Sequence, residues 1–293
     1  MTTTVGVLGC GLMGSGIAQV AATAGFATVV RDVGEPLLAK GRSGILRSLD
    51  KLVEKGKLDR AARDGALERL AFTTDLAELA ACDLVIEAVT EDLELKNGLW
   101  RELDRRCPPA TIFASNTSSL TIGDMASATA RPDRFIGLHF FNPVPLMPLV
   151  EVVRAVTTSR ATFEAAIEFA RRVGKQAIVS RDRSGFIVNL LLVPYLLDAI
   201  RALERGVGSI TDIDRGMQLG CGHPMGPFTL LDFVGLDTTA RIAEILFDEY
   251  REPRYAPPPL LRRMVTAGLH GRKTGRGFYD YATDPPQPSD PAL

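Results

Sequence analysis

Between Thr4 and Asp32 the chain alternates in a way that few folds accommodate. Thr4 to Leu8 (TVGVL) is an apolar, β-rich run, followed by Gly9-Cys10-Gly11-Leu12-Met13-Gly14. A helical pattern, Ser15 to Ala24, stops at Gly25, and a second apolar run, Ala27 to Val30, ends in Arg31-Asp32. Strand, G-x-G-x-x-G, helix, strand and acid each have a task in holding a dinucleotide. Gly9 allows the tight turn, Gly11 lets the backbone approach a pyrophosphate, Gly14 permits close helix-to-strand packing, and the helix N-terminus offers amide donors. Asp32, eighteen residues past Gly14, is placed to accept hydrogen bonds from an adenosine ribose. It would repel a 2′-phosphate and so favours NAD over NADP, although a guanidinium at Arg31 tempers that preference. Cys10 reads as a small filler of the turn.

The rest of the first half extends this unit. Glu35 to Arg69 is helical throughout, longer than a simple crossover, so an arm projects from the sheet; its Lys51, Lys55 and Lys57 read by themselves as a solvated face. Asp83 to Val89 is a buried strand with Glu91 just past its C-terminal end, where a doubly wound sheet lines its ligand crevice. Asp92 to Arg106 is a helix carrying Lys96, and the strand Thr111 to Ala114 delivers Ser115-Asn116-Thr117-Ser118-Ser119 to the same edge. A helix over Ala161 to Val173 and a strand over Lys175 to Ser180 complete a mostly parallel sheet.

Beyond it the strands cease. The polar joint Arg181 to Gly185 divides residues 1–182 from an all-helical domain at 183–293, with helices over Phe186 to Arg205, Ile213 to Leu219, Phe228 to Val234 and Thr238 to Tyr250. Pro194 is expected to kink the first of these. Asn189 on that helix reads either as a satisfied core amide or as a group reaching across a cleft to a substrate. His223, in a Gly- and Pro-rich turn, reads as structural, and the Pro-rich tail from Thr283 as disordered.

Composition removes several function classes. With 34 basic and 35 acidic residues, no global field favours nucleic acid or an anionic membrane. The most apolar segment, Phe186 to Ile200, is broken by Asn189, Pro194 and Asp198 and falls short of the roughly twenty residues that span a bilayer. Four scattered cysteines without a C-x-x-C pair, and no basic, apolar leader, fit a reducing, cytoplasmic setting. The few histidines and cysteines lack a zinc spacing, so no metal is expected.

The stretch Ser115 to Glu151 carries the chemistry. Arg134 to Phe140 reads as a strand, Asn142 to Pro148 as a Pro-rich turn, and Leu149 to Ala155 as a second strand. Such a hairpin can bring His139 beside Glu151. A carboxylate on one ring nitrogen fixes the tautomer, stabilises the imidazolium and presents the other nitrogen as a base. On these two residues alone, a structural His and a surface Glu is the other open reading.

With GLHFFNPVPLMPLVEVV at 137–153, SNTSSL at 115–120, GFIVNLLL at 185–192, GHPMGPFTLLDFVGLD at 222–237 and GRKTGRGFYDY at 271–281, the chain resembles the short-chain L-3-hydroxyacyl-CoA dehydrogenases from Val5 to Tyr281. The resemblance implies a Rossmann-type domain followed by a helical domain for substrate and dimerisation, and oxidation of a 3-hydroxyacyl-CoA, with 3-hydroxybutyryl-CoA foremost. It implies His139 as general base oriented by Glu151, with Ser118 and Asn189 on the reacting oxygen and thioester carbonyl and Asn142 supporting the pocket. In the NAD site it places Gly9, Gly11, Gly14, Asp32, Glu91, Lys96, Asn116 and Lys273. On the arm it places Ser48 and Lys55 at coenzyme A, and it implies a homodimer through the helical domain. Two rivals stand beside this reading. One is a dehydrogenase of a free hydroxy acid, against which HFFNP and the basic arm speak; the other is a catalytically silent NAD-binding relative, against which the intact His139, Glu151, Ser118 and Asn189 speak.

Overall fold

The computed structural model describes residues 2–290, and the chain divides into two compact units, one ending at Phe186 and the other beginning at Ile187. In the first, β1 (Thr4–Leu8), α1 (Leu12–Thr23) and β2 (Ala27–Arg31) are followed by an arm of two helices, α2 (Glu35–Glu54) and α3 (Arg60–Glu68). Then come β3 (Leu70–Thr73), β4 (Leu84–Glu87), α4 (Leu93–Arg106), β5 (Ile112–Ser115) and α5 (Ile122–Ala126). β6 (Phe135–Phe140), β7 (Leu149–Arg154), α6 (Arg160–Arg172) and β8 (Gln176–Arg181) complete it.

The sheet order is β3-β2-β1-β4-β5-β6-β7-β8, parallel throughout except where β6 meets β7. This is the doubly wound, mostly parallel sheet expected. The chain reverses its direction of spread at β1 and β4, so the crevice beyond their C-terminal ends is the place for a ligand. One face packs on α1, α2 and α6 through Ile17, Ile45 and Phe169; the other packs on α4 and α5 through Trp100, Leu103 and Met125. Both faces being covered explains why the strands read as unbroken apolar runs.

One expectation is corrected here. The arm is not one helix: α2 ends with Lys55 as its C-cap, Gly56 adopts φ +65°, and the Asp59 side chain accepts from Ala62 N to start α3. Gly in the left-handed region stops a helix and Asp at an N-cap starts one. Residues 70–82 supply the edge strand β3 and a short 3₁₀ segment, Leu76–Ala81.

The second unit consists of α7 (Val188–Glu204), α8 (Ile210–Cys221), α9 (Pro227–Val234), α10 (Leu236–Tyr250) and α11 (Pro259–Thr266), with a core of Leu197, Ile200, Phe228, Leu231, Leu246 and Phe278. α7 runs through Pro194 without a break in its assigned span. The unit is not wholly helical, because β9 (Tyr279–Asp280) pairs antiparallel with β10 (Gln287–Pro288). That pairing also corrects the expected disorder of the tail as far as Asp290; residues 291–293 lie outside the described residues. Asp232, fully buried, accepts from Phe278 N at 2.9 Å, Tyr279 N at 2.8 Å and Tyr281 Oη at 3.1 Å. It thereby ties the 222–237 and 271–281 segments together. Burial outweighs those donors and holds its carboxyl above the usual range.

Candidate active site

The glycine turn fits a dinucleotide by its own geometry. Gly9 has φ +101°, and a Cβ there would sit 2.7 Å from the Ala88 carbonyl oxygen; a Cβ on Gly14 would fall 1.8 Å from that of Gly9. Only glycine permits this β1–α1 approach. A Cβ on Gly11 would instead meet nothing within 4 Å, and α1 begins there without a side-chain cap. The open side of the turn and the uncapped amides are what an anionic pyrophosphate requires. Asp32 accepts from Cys10 N at 2.6 Å and Val33 N at 2.7 Å while remaining half-exposed beside the turn. Arg31 turns its Nε to the Thr74 carbonyl at 3.2 Å. Burial, then the Asp32 charge, push the Cys10 thiol up to about 11, so it is no nucleophile at neutral pH.

Further along the same edge of the sheet, buried charge accumulates. Lys96 Nζ lies 2.5 Å from Glu87 Oε1 and 3.2 Å from Glu91 Oε2, with the Lys96 side chain 1% exposed and that of Glu87 0%. Glu87 also accepts from Ser115 Oγ at 2.6 Å and Val89 N at 2.7 Å. Glu91 Oε1 accepts from the Thr117 hydroxyl, from Ser118 N at 3.1 Å and from Ser119 N at 3.2 Å and Oγ at 2.9 Å. Burial alone would lower the pKa of Lys96, but the two carboxylates outweigh it and hold the ammonium above its ordinary value. Burial would likewise raise Glu91, yet Lys96 and the hydroxyls of Thr117 and Ser119 hold it below the usual carboxylate range. Asn116 Oδ1 accepts from Phe140 N at 2.9 Å, joining this segment to the end of β6.

The next strand pair carries His139 and Glu151. In the antiparallel register His139 stands directly opposite Glu151, a position from which side chains meet. Nδ1 and Oε2 are 2.6 Å apart, with Glu151 fully buried and His139 5% exposed. A carboxylate at that distance accepts a hydrogen bond from Nδ1–H and so favours the tautomer in which Nε2 is the acceptor. Phe141 and Phe186 pack on the imidazole, with ring centroids at 4.5 and 5.6 Å, and hold its plane.

The first unit thus brings Gly9, Gly11, Gly14, Asp32, Glu91, Lys96, Asn116, Ser118, His139 and Glu151 to one edge of its sheet. Asn142 is exposed on the turn after β6. Ser48 and Lys55 stand apart on the arm, half-exposed and exposed. With Lys51 they fall at i, i+3 and i+7, a single stripe of α2 and its C-cap. Asn189 and Lys273 belong to the second unit, where Lys273 Nζ lies 2.6 Å from Asp237 Oδ2. His223 Nδ1 pairs with Tyr195 Oη at 3.2 Å, a structural contact. Sequence reasoning misses the part played by Glu87, Ser115, Thr117 and Ser119; a lone acid inside the apolar run DLVIEAV is the available signal. No three His, Cys, Asp or Glu among the described residues cluster to hold a metal, and no helix there is long and apolar enough to cross a membrane.

Residues 4–183 match the family model of the 3-hydroxyacyl-CoA dehydrogenase NAD binding domain, and residues 185–281 that of the 3-hydroxyacyl-CoA dehydrogenase C-terminal domain. The chain is 52% identical to 3-hydroxybutyryl-CoA dehydrogenase of Mycobacterium tuberculosis, over 94% of this chain and 98% of that one. It is 49% identical to human mitochondrial hydroxyacyl-coenzyme A dehydrogenase, over 94% and 90%. The crystal structure of (S)-3-hydroxybutyryl-CoA dehydrogenase PaaH1 from Ralstonia eutropha superposes with a TM-score of 0.92 at 44% identity, covering 97% of this chain and 100% of that one. Both parts being matched in order, the chain belongs to the 3-hydroxyacyl-CoA dehydrogenase family.

Proposed function

We propose that this chain reversibly oxidises (S)-3-hydroxyacyl-CoA, with 3-hydroxybutyryl-CoA foremost, to the 3-oxoacyl-CoA with NAD. The observation that carries the reading is the buried His139–Glu151 pair at 2.6 Å, set beside a glycine turn fitted to a dinucleotide. NAD supplies the hydride acceptor. His139 Nε2 takes the proton of the 3-hydroxyl, and Glu151 stabilises the imidazolium that forms. In reduction the imidazolium returns that proton to the new alkoxide. Ser118 hydrogen-bonds the oxygen on which charge develops, a role worth a few kcal/mol for one well-placed donor, with Asn142 supporting it; Asn189 is assigned to the thioester carbonyl.

The first unit takes the nucleotide through the α1 amides, Asp32, Glu91, Lys96 and Asn116, with Lys273 assigned to the nicotinamide side. Ser48 and Lys55 on the arm suit the phosphates of coenzyme A, since an ammonium is a compact phosphate partner. The second unit is assigned to substrate binding and to a homodimer. Leu191, Val207 and Leu219 stand 65%, 74% and 81% exposed there, and a second copy would cover such side chains. Burial keeps Cys10, Cys82 and Cys107 as unpaired thiols, which suits a reducing, cytoplasmic setting.

The test is NADH oxidation followed with acetoacetyl-CoA, with free acetoacetate, and with NADPH in place of NADH. Rapid turnover with NADH and the thioester alone is expected. Equal use of the free acid overturns the role of the arm, and preference for NADPH overturns that of Asp32. No reduction of either carbonyl compound makes the chain a silent relative.

A further inference from the structure

We propose that Glu87 is a positioning residue for this reaction: through Ser115 on one side, and through Lys96 and Glu91 on the other, it sets where the Ser115–Ser119 segment presents Asn116 and Ser118. The proposal rests on the reading of Asn116 and Ser118 given above. Glu87 closes β4 in register with Ser115, the last residue of β5, and Ser115 is in turn in register with Gly137, two residues before His139. Its Oε2 accepts from the Ser115 hydroxyl and its Oε1 from Lys96. Lys96 reaches on to Glu91 Oε2, whose other oxygen gathers the amides of Ser118 and Ser119 and both neighbouring hydroxyls.

The chain of contacts therefore begins and ends on the same short segment, with a fully buried carboxylate as its anchor. A fold needs no charge there: well-packed apolar residues commonly replace a buried ion pair without loss of stability. Burial of an ammonium between two carboxylates at the ligand edge instead gives the segment one defined geometry. Small displacements of groups that hold reactants weaken their hold on cofactor and substrate.

The experiment compares Glu87→Gln, which keeps the shape and removes the charge facing Lys96, with Glu87→Asp, which keeps the charge and shortens the reach. Both are assayed with NADH and acetoacetyl-CoA beside circular dichroism and thermal melting. KM for both substrates is expected to rise about tenfold in Glu87→Gln, with kcat changed less and Glu87→Asp intermediate. A folded Glu87→Gln enzyme with both KM values within twofold of wild type overturns the proposal. Should that variant not fold, Ser115→Ala cuts the β5 arm alone; a severalfold rise in the same KM values is expected, and unchanged values overturn it. Ser118→Ala runs in parallel. If Ser118→Ala is impaired while the Glu87 variants are not, only the positioning role fails; if Ser118→Ala itself is unimpaired, the underlying site reading fails.

Discussion

Two groups of titratable side chains lie along the same edge of the first unit's sheet, and they are built in opposite ways. His139 and Glu151 come from adjacent strands of one hairpin and meet through Nδ1. The Nδ1 proton held there leaves Nε2 as the acceptor. Glu87, Lys96 and Glu91 come from a strand end, a helix and the turn between them, and each carboxylate oxygen there has a donor. A saturated network holds shape, because every rearrangement breaks a bond in a low-dielectric setting. A pair that keeps one nitrogen as acceptor can exchange a proton. Under the proposed function, the first group reacts and the second places the reactants.

The sharpest way to break that contrast is His139→Gln, which removes the base without removing charge from the network. Turnover is expected to fall between about a hundredfold and ten-thousandfold, while NADH affinity measured by fluorescence titration stays near wild type. Comparable turnover would place the chemistry elsewhere. Lys96→Met should weaken NADH binding, since Lys96 is assigned to the nucleotide, and should lower stability as well. It leaves the buried Glu87 and the half-buried Glu91 without their cation, which costs about 3–5 kcal/mol, visible as a drop of roughly ten degrees in Tm; an unchanged melting curve would show that the network holds nothing.

The dependence of stability on pH sharpens the same point. Glu91 is held below its ordinary range, so its contribution is present above the unfolded carboxylate value and is lost as pH falls through the lower folded one. Lys96 is held above its ordinary value, so its contribution is present below the unfolded lysine value and is lost as pH rises through the higher folded one. Melting of the wild type should therefore weaken at both extremes, and Lys96→Met should show a shallower dependence at the alkaline one. The smallest effect belongs to the arm. Lys55→Ala should raise KM for acetoacetyl-CoA severalfold, leaving kcat and KM for NADH unchanged, as loss of one exposed charge contact implies.

Legibility in the sequence follows locality. The glycine turn and the His139–Glu151 register are readable because each is contained in a short segment whose spacing dictates its geometry. Strand period and a Pro-rich turn make the pairing available, and the antiparallel register sets His139 opposite Glu151. Glu87 is not readable in that way, because its partners come from β5 and α4, and nothing local says that a lone acid in an apolar strand meets a lysine nine residues on. The break at Gly56 and Asp59 carries ordinary stop and start signals, but the helical pattern on either side masks them. The tail misleads for a different reason. Its Pro-rich composition argues for disorder, whereas Ser289 N donates to the Phe278 carbonyl at 2.8 Å and Asp232 anchors the residues that β10 pairs with.

The claim that His139 and Glu151 work as one unit is tested most directly by kcat of His139→Gln, Glu151→Gln and the two combined, with acetoacetyl-CoA and NADH. Groups that act together are non-additive. The account predicts that the double variant loses no more than His139→Gln alone, since Glu151 acts on the reaction through the imidazole. Losses that multiply across the two substitutions would contradict it and give Glu151 a separate task.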